Sequence, residues 1–105
     1  MGEFVTIRQW RLRADRQEAE LVRLVQGQIE PHYRTLSRDV RLGLLRIDGT
    51  RSYLAVQYWR SRDHWNAATQ SVSYAGWWAQ YEPMLERWDQ VMEFEAELES
   101  EELLS

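Results

Sequence analysis

Val40-Arg41-Leu42-Gly43-Leu44-Leu45-Arg46-Ile47, then Asp48-Gly49-Thr50-Arg51, then Ser52-Tyr53-Leu54-Ala55-Val56-Gln57-Tyr58-Trp59 is the stretch that decides the fold. Its two flanks are rich in the branched, leucine and aromatic side chains that suit a pleated, half-buried surface. Between them, Asp48-Gly49 tolerates the positive φ that a tight connection demands. The stretch therefore predicts an antiparallel hairpin, with strands over 40–47 and 52–59.

Working outward, Phe4 to Leu12 alternates, with Phe4, Thr6, Arg8, Trp10 and Leu12 on one side and Val5, Ile7, Gln9 and Arg11 on the other. Both sides carry apolar groups, as in a strand covered on two faces. Asp15 offers a helix N-cap, with Glu18 at capping-box spacing. Ala19, Val22, Val25, Ile29, Tyr33 and Leu36 then recur at helical intervals, predicting an amphipathic helix to about Ser37. Pro31 lacks an N–H and predicts a kink near Gly27–Pro31. After the hairpin, Ser61 can cap a short helix over 62–70, helped by Asp63 in its first turn. A further helix from about Ser73 carries the stripe Tyr74, Trp77, Trp78, Tyr81, Leu85 and Trp88, with Pro83 expected to break or bend it. From Gln90 to Leu98, Met92, Phe94, Ala96 and Leu98 alternate with Glu93, Glu95 and Glu97, the pattern of a last strand. The acidic tail from Glu99 is expected to fray.

The order is strand, long helix, hairpin, helices, strand, without repeats or linkers. It predicts a single α+β domain over 1–105, a ferredoxin-like βαββαβ with a four-stranded antiparallel sheet and its helices on one side. The other face of such a sheet is left bare. Because the strands carry apolar residues on both sides, that face too needs a cover, and a second copy of the chain supplies one economically as an isologous homodimer.

Composition narrows the chemistry. The net charge is −4, which disfavours a nucleic-acid surface. All thirteen basic residues are arginine, so no lysine is available for a Schiff base. Without cysteine there is no disulfide, thiolate nucleophile or cysteine-based metal site. Met1-Gly2-Glu3-Phe4 does not resemble a signal peptide, and no apolar run is long enough to span a membrane, which makes a cytoplasmic address and no membrane partner the expectation. Six Trp and five Tyr are the unusual feature, and such rings fill a core, an interface or a slot for a flat ligand.

Several polar residues stand out. His64 follows Asp63 at a helix start and is a candidate general base, although adjacent helical residues point about 100° apart, so a solvated surface histidine competes with that role. His32 sits beside Pro31 and can face either way. No histidine and carboxylate cluster has ligand spacing, so no metal is expected. Arg8 and Gln57 lie inside strands among apolar neighbours, where a buried polar group requires either a structural partner or a ligand oxygen. For Arg8 the structural candidates are Glu93 and Glu95 of the last strand. Trp59, Trp65, Trp77, Trp78 and Tyr81 are expected to gather where the third strand meets the later helices, as packed core or as the walls of a slot.

The segment from Tyr58 to Tyr74, with Trp59, Ser61, Trp65, Ser71 and Tyr74 at their spacings, resembles the third strand and following helices of the antibiotic-biosynthesis-monooxygenase superfamily, the dimeric α+β barrels. Pro31 in mid-helix and the closing strand extend the likeness over nearly the whole chain. The resemblance implies that fold, a homodimer, and a ligand pocket between sheet and helices. It also implies, in some members, cofactor-independent oxidation of electron-rich phenols, whose anions pass an electron to dioxygen directly. On that reading Arg8 or Gln57 holds the anion of a small aromatic or polyketide-like compound. Asn66 or His64 moves a proton, and Trp59, Trp65, Trp77, Trp78 and Tyr81 wall the rings, with no cofactor. The departures are Ala68, where the family commonly has a helical His, and Gln57, where a Glu is frequent. They favour a second reading, a non-catalytic ligand-binding or structural protein of the same fold. Haem-degrading members place an axial His near Trp78 and an Asn in the first strand. Neither is present here, so haem binding or degradation is disfavoured.

Overall fold

The hairpin closes through a loop in which Gly49 takes a φ of +73°, and the Ile47 N–H donates to the Ser52 carbonyl at 2.8 Å. In the computed structural model, which describes residues 3–99, the loop joins β2 (Arg41–Arg46) to β3 (Ser52–Trp59). β3 pairs with β1 (Phe4–Leu12), and β1 pairs with β4 (Met92–Glu99). All pairings are antiparallel and the order is β2-β3-β1-β4, so the chain is α+β with a ferredoxin-like sheet.

The first helical region starts later than Asp15. The Arg51 guanidinium donates to the carbonyls of Arg13 and Arg16, at 2.6 and 2.9 Å, and holds this loop in a turn. The cap therefore falls on Gln17, whose N–H donates to the Glu20 side chain at 3.2 Å. The helix then runs as α1 (Glu18–Leu24), a π-helical segment (Val25–Ile29) and α2 (Glu30–Leu36). The expected kink is thus realised as a widened turn, with Pro31 in the first turn of α2, where a missing N–H costs least. α3 (Arg62–Thr69) is capped by Ser61, whose hydroxyl accepts from the His64 N–H at 3.1 Å. α4 (Tyr74–Val91) continues through Pro83 without breaking. Packing of Trp77, Tyr81, Trp88 and Val91 on both sides of the proline outweighs the one lost hydrogen bond.

β4 does not alternate cleanly. Met92 and Phe94 pair with Leu12 and Trp10, but beyond a register shift Ala96 pairs with Gln9 and Leu98 with Ile7. Glu95 is the extra residue of a β-bulge, and it switches the sides of everything after it. Met92 and Phe94 face the helices, whereas Ala96 and Leu98 join the opposite face.

The core lies between the helices and one sheet face. It gathers Leu12, Tyr53 and Trp59 from the sheet with Leu21, Leu24, Ile29, Tyr33, Trp77, Tyr81 and Trp88 from the helices. On the outer face Ile7 stands opposite Val56, with Val5 opposite Tyr58 and Leu45 opposite Leu54. There Leu45 is 52% exposed and Leu98 47% exposed. Gly43 allows the Tyr58 ring to lie close, since a Cβ there would come within 3.1 Å of it. Among the described residues no helix is long and apolar enough to cross a membrane. All but the first residue of the acidic tail, 100–105, lies outside the described residues.

Candidate functional site

Between the inner sheet face and the helices lies a cavity of about 80 Å³. That is several times the room one water needs. The strand period places Thr6, Arg8 and Trp10 on its floor from β1, with Ala55 and Gln57 from β3 and Leu42 and Leu44 from β2. The roof comes from Val25 and Ile29 of the π-helical segment, Tyr33 of α2, and Tyr81, Leu85 and Trp88 of α4. Most of the lining is aliphatic or aromatic, and the polar groups collect around Arg8, Gln57 and the two tyrosines.

That polar cluster has a direction. The Trp59 Nε1–H donates to Gln57 Oε1 at 3.0 Å, which turns the amide so that Nε2 donates to the Tyr33 hydroxyl oxygen at 3.1 Å. The Tyr81 ring lies against Tyr33, with centroids 5.3 Å apart. The Tyr33 oxygen thus accepts from Gln57, and its own O–H stays a donor in the cavity lining. Burial pushes the Tyr33 phenol above its ordinary pKa, against smaller downward effects of Tyr81 and the Arg8 charge. Burial likewise raises Tyr81, reinforced by Tyr33. Both phenols are therefore neutral donors at physiological pH, not bases. The remaining charge is Arg8, whose guanidinium pairs with Glu97 at 3.5 Å. The partner is not Glu93 or Glu95, because the bulge turns Glu95 to the outer face, where it accepts from Ser52 at 2.7 Å and from Arg11 at 3.2 Å.

Of the residues singled out in the sequence, Arg8, Gln57 and Tyr81 line the cavity. Trp59 sits behind Gln57, fully buried, and fixes the amide rather than touching the space. The others are elsewhere. Trp65 packs on Phe4 with ring centroids 5.2 Å apart. Trp77 is stacked on His32 at 4.6 Å, and the two exchange hydrogen bonds: Trp77 Nε1 donates to the His32 carbonyl at 2.8 Å, and His32 Nε2 meets the Trp77 carbonyl at 2.9 Å. Trp78 is 41% exposed on the outer side of α4. His64 is exposed, with Nδ1 against Ser61 Oγ at 2.7 Å, and neither it nor Asn66 lines the cavity. α3, which carries both, contributes no residue to the cavity lining. Trp10, Trp88 and Tyr33 were not singled out as site residues, yet they line it. The alternation that puts Trp10 beside Arg8 and the α4 stripe that carries Trp88 were the available signals. Among the described residues no three histidines or carboxylates come together in a way that could hold a metal ion.

The same fold occurs in solved structures. HapK from Hahella chejuensis is similar with a TM-score of 0.64 and 21% identity, over 98% of this chain and 94% of that one. A variant of SnoaB, a cofactor-independent oxygenase from Streptomyces nogalater, is similar with a TM-score of 0.64 and 17% identity, over 99% of this chain and 98% of that one. A second SnoaB structure gives 0.58 and 16% over the same shares. At these identities the likeness is one of fold, and it agrees with the architecture that the Tyr58–Tyr74 resemblance implies. No family model and no curated protein matches the chain.

Proposed function

We propose that the cavity binds a small aromatic or polyketide-like compound as its phenolate or enolate, and that the protein is a cofactor-independent monooxygenase-like enzyme acting on it. The observation that carries this reading is that Arg8 and Tyr33 both line one largely apolar space walled by Trp10 and Trp88. A cation and a neutral O–H donor together stabilise an oxyanion, and the indoles offer flat faces to its ring. Such an anion is electron-rich enough to pass one electron to dioxygen. Recombination of the resulting pair gives a hydroperoxide, and loss of water from it leaves a carbonyl. This balances one O₂ against one new C=O and one water. The shared fold with SnoaB, described as a cofactor-independent oxygenase, supports the reading. The test is oxygen uptake with a panel of dihydroxynaphthalenes, run aerobically and anaerobically, with wild type and Arg8→Gln. Uptake that requires Arg8 supports the proposal, and no uptake with any compound contradicts it.

A second reading, ligand binding without turnover, draws on the absence of His64 and Asn66 from the lining. Retention of a bound naphthol unchanged under oxygen favours it. In either case we infer that the active particle is a homodimer, with the outer sheet face of Val5, Ile7, Leu45, Leu54 and Leu98 covered by a second copy.

A further inference from the structure

The bulge at Glu95 has a chemical consequence inside the cavity. Strict alternation from Met92 would place Ala96 on the cavity side of β4, beside Arg8. The shifted register instead sets Glu97 directly opposite Arg8, and their side chains meet at 3.5 Å. The pair is half-exposed, at 46% and 58%, so it lies at the mouth rather than in the interior. Arg8 contributes to the cavity lining and Glu97 does not. Among the described residues no acidic side chain lines the cavity: across the sheet Arg8 faces Ala55, and from α4 come Tyr81, Leu85 and Trp88.

Resting on the reading of the cavity as a site for an aromatic anion, we propose that Glu97 is the resting counter-ion of Arg8 and is displaced from it by the charged oxygen of the entering ligand, so that Glu97 sets the selectivity of the site for anionic over neutral rings. In the empty protein Glu97 balances the guanidinium charge through one contact at 3.5 Å. A neutral ring does not compete for that contact and gains only its own burial. An anionic ring exchanges for the carboxylate, takes over the fork of N–H donors, and adds the Tyr33 O–H that Glu97 does not engage. The glutamate then returns to water, which its exposure permits at little cost. Selectivity arises from a competing interaction as much as from an attractive one.

The experiment measures binding of two probes, 4-nitrophenolate and nitrobenzene, at a pH above the pKa of 4-nitrophenol, to wild type, Glu97→Gln and Arg8→Gln, with circular dichroism confirming that each variant is folded. Wild type is expected to prefer 4-nitrophenolate. Glu97→Gln removes the competitor and tightens 4-nitrophenolate about two- to fivefold, the range of an exposed ion pair, while leaving nitrobenzene unchanged. Arg8→Gln abolishes the preference. If Glu97→Gln weakens 4-nitrophenolate binding or leaves it unaltered while Arg8→Gln still abolishes the preference, Glu97 does not compete for Arg8 and the proposal is overturned, with the cavity reading intact. If Arg8→Gln binds both probes as wild type does, the cavity reading itself falls and the proposal with it.

Discussion

Two aromatic neighbourhoods lie along α4, and they differ in what they enclose. Near its N-terminal end Tyr74, Trp77, Trp78 and Tyr81 lie nearly parallel, Trp77 stacks on His32, and the two exchange backbone-directed hydrogen bonds. There the rings are one another's ligands. Near its C-terminal end Trp88 meets Trp10 edge-on at 5.3 Å, with the rings at 88°, and the cavity opens beside them. Parallel stacking fills space, whereas an edge-on pair of indoles flanked by small residues such as Ala55 leaves some. A run of tryptophans at helical spacing is thus compatible with both a solid core and a slot, and packing partners on other elements decide which end becomes which.

Substitution at the two ends should separate them. Trp77→Ala removes a buried ring and strands the His32 carbonyl that its Nε1 donates to. It is expected to cost about 3–5 kcal/mol in urea unfolding, as large-to-small core changes do. Trp88→Ala borders space that already exists, into which neighbours can relax, and should cost less. Equal losses would erase the distinction. Arg8→Gln acts in the opposite sense. Stability is expected to change by less than about 1 kcal/mol, because the pair with Glu97 is half-exposed and screened. Binding of an aromatic anion should fall about ten- to a hundredfold, the worth of a hydrogen-bonded charge, by isothermal titration.

A smaller effect follows from the tyrosines that join the two neighbourhoods. Burial raises the pKa of Tyr33 and Tyr81 above the unfolded value of 10.0. Below that value both states keep the proton, and the stability is fully present. As pH rises above it the unfolded chain ionises first, so folding stability declines toward the raised folded pKa. Alkaline unfolding curves of Tyr33→Phe and Tyr81→Phe should therefore fall less steeply above about pH 10 than wild type. An unchanged slope would mean that neither phenol is held neutral by the fold. Least of all is expected from His64→Ala. An exposed helix-start histidine outside the lining should alter ligand affinity by no more than about twofold, within the range of surface substitutions.

The hairpin and the extent of β3 were legible because the turn chemistry of Asp48-Gly49 and the runs flanking it agree with one another. Arg8 and Gln57 were legible as well, since a polar group in an apolar strand needs a partner wherever it sits. What escaped was any feature made by one extra residue. The insertion at Glu95 leaves a sequence that still alternates by eye, so Ala96 and Leu98 read as inward, and Glu93 or Glu95 read as partners of Arg8. The π-helical segment hides likewise, because Val25 and Ile29 keep an i, i+4 spacing that an ordinary helix also permits. Asp15 looked like a cap because the strap from Arg51 that pre-empts it is 36 residues distant in the chain. His64 and Asn66 sit close in sequence to Trp59 and Trp65, but α3 lies outside the cavity lining, a placement that spacing does not record.

The six indole N–H groups make the most direct measurement possible, since two of the six tryptophans line the cavity and the other four do not. In a proton–nitrogen correlation spectrum titrated with 4-nitrophenolate, the Trp10 and Trp88 signals should move together and saturate, while those of Trp65 and Trp78 stay still. Movement led by Trp65 or Trp78, with Trp10 and Trp88 unmoved, would contradict a ligand site between the sheet and the helices.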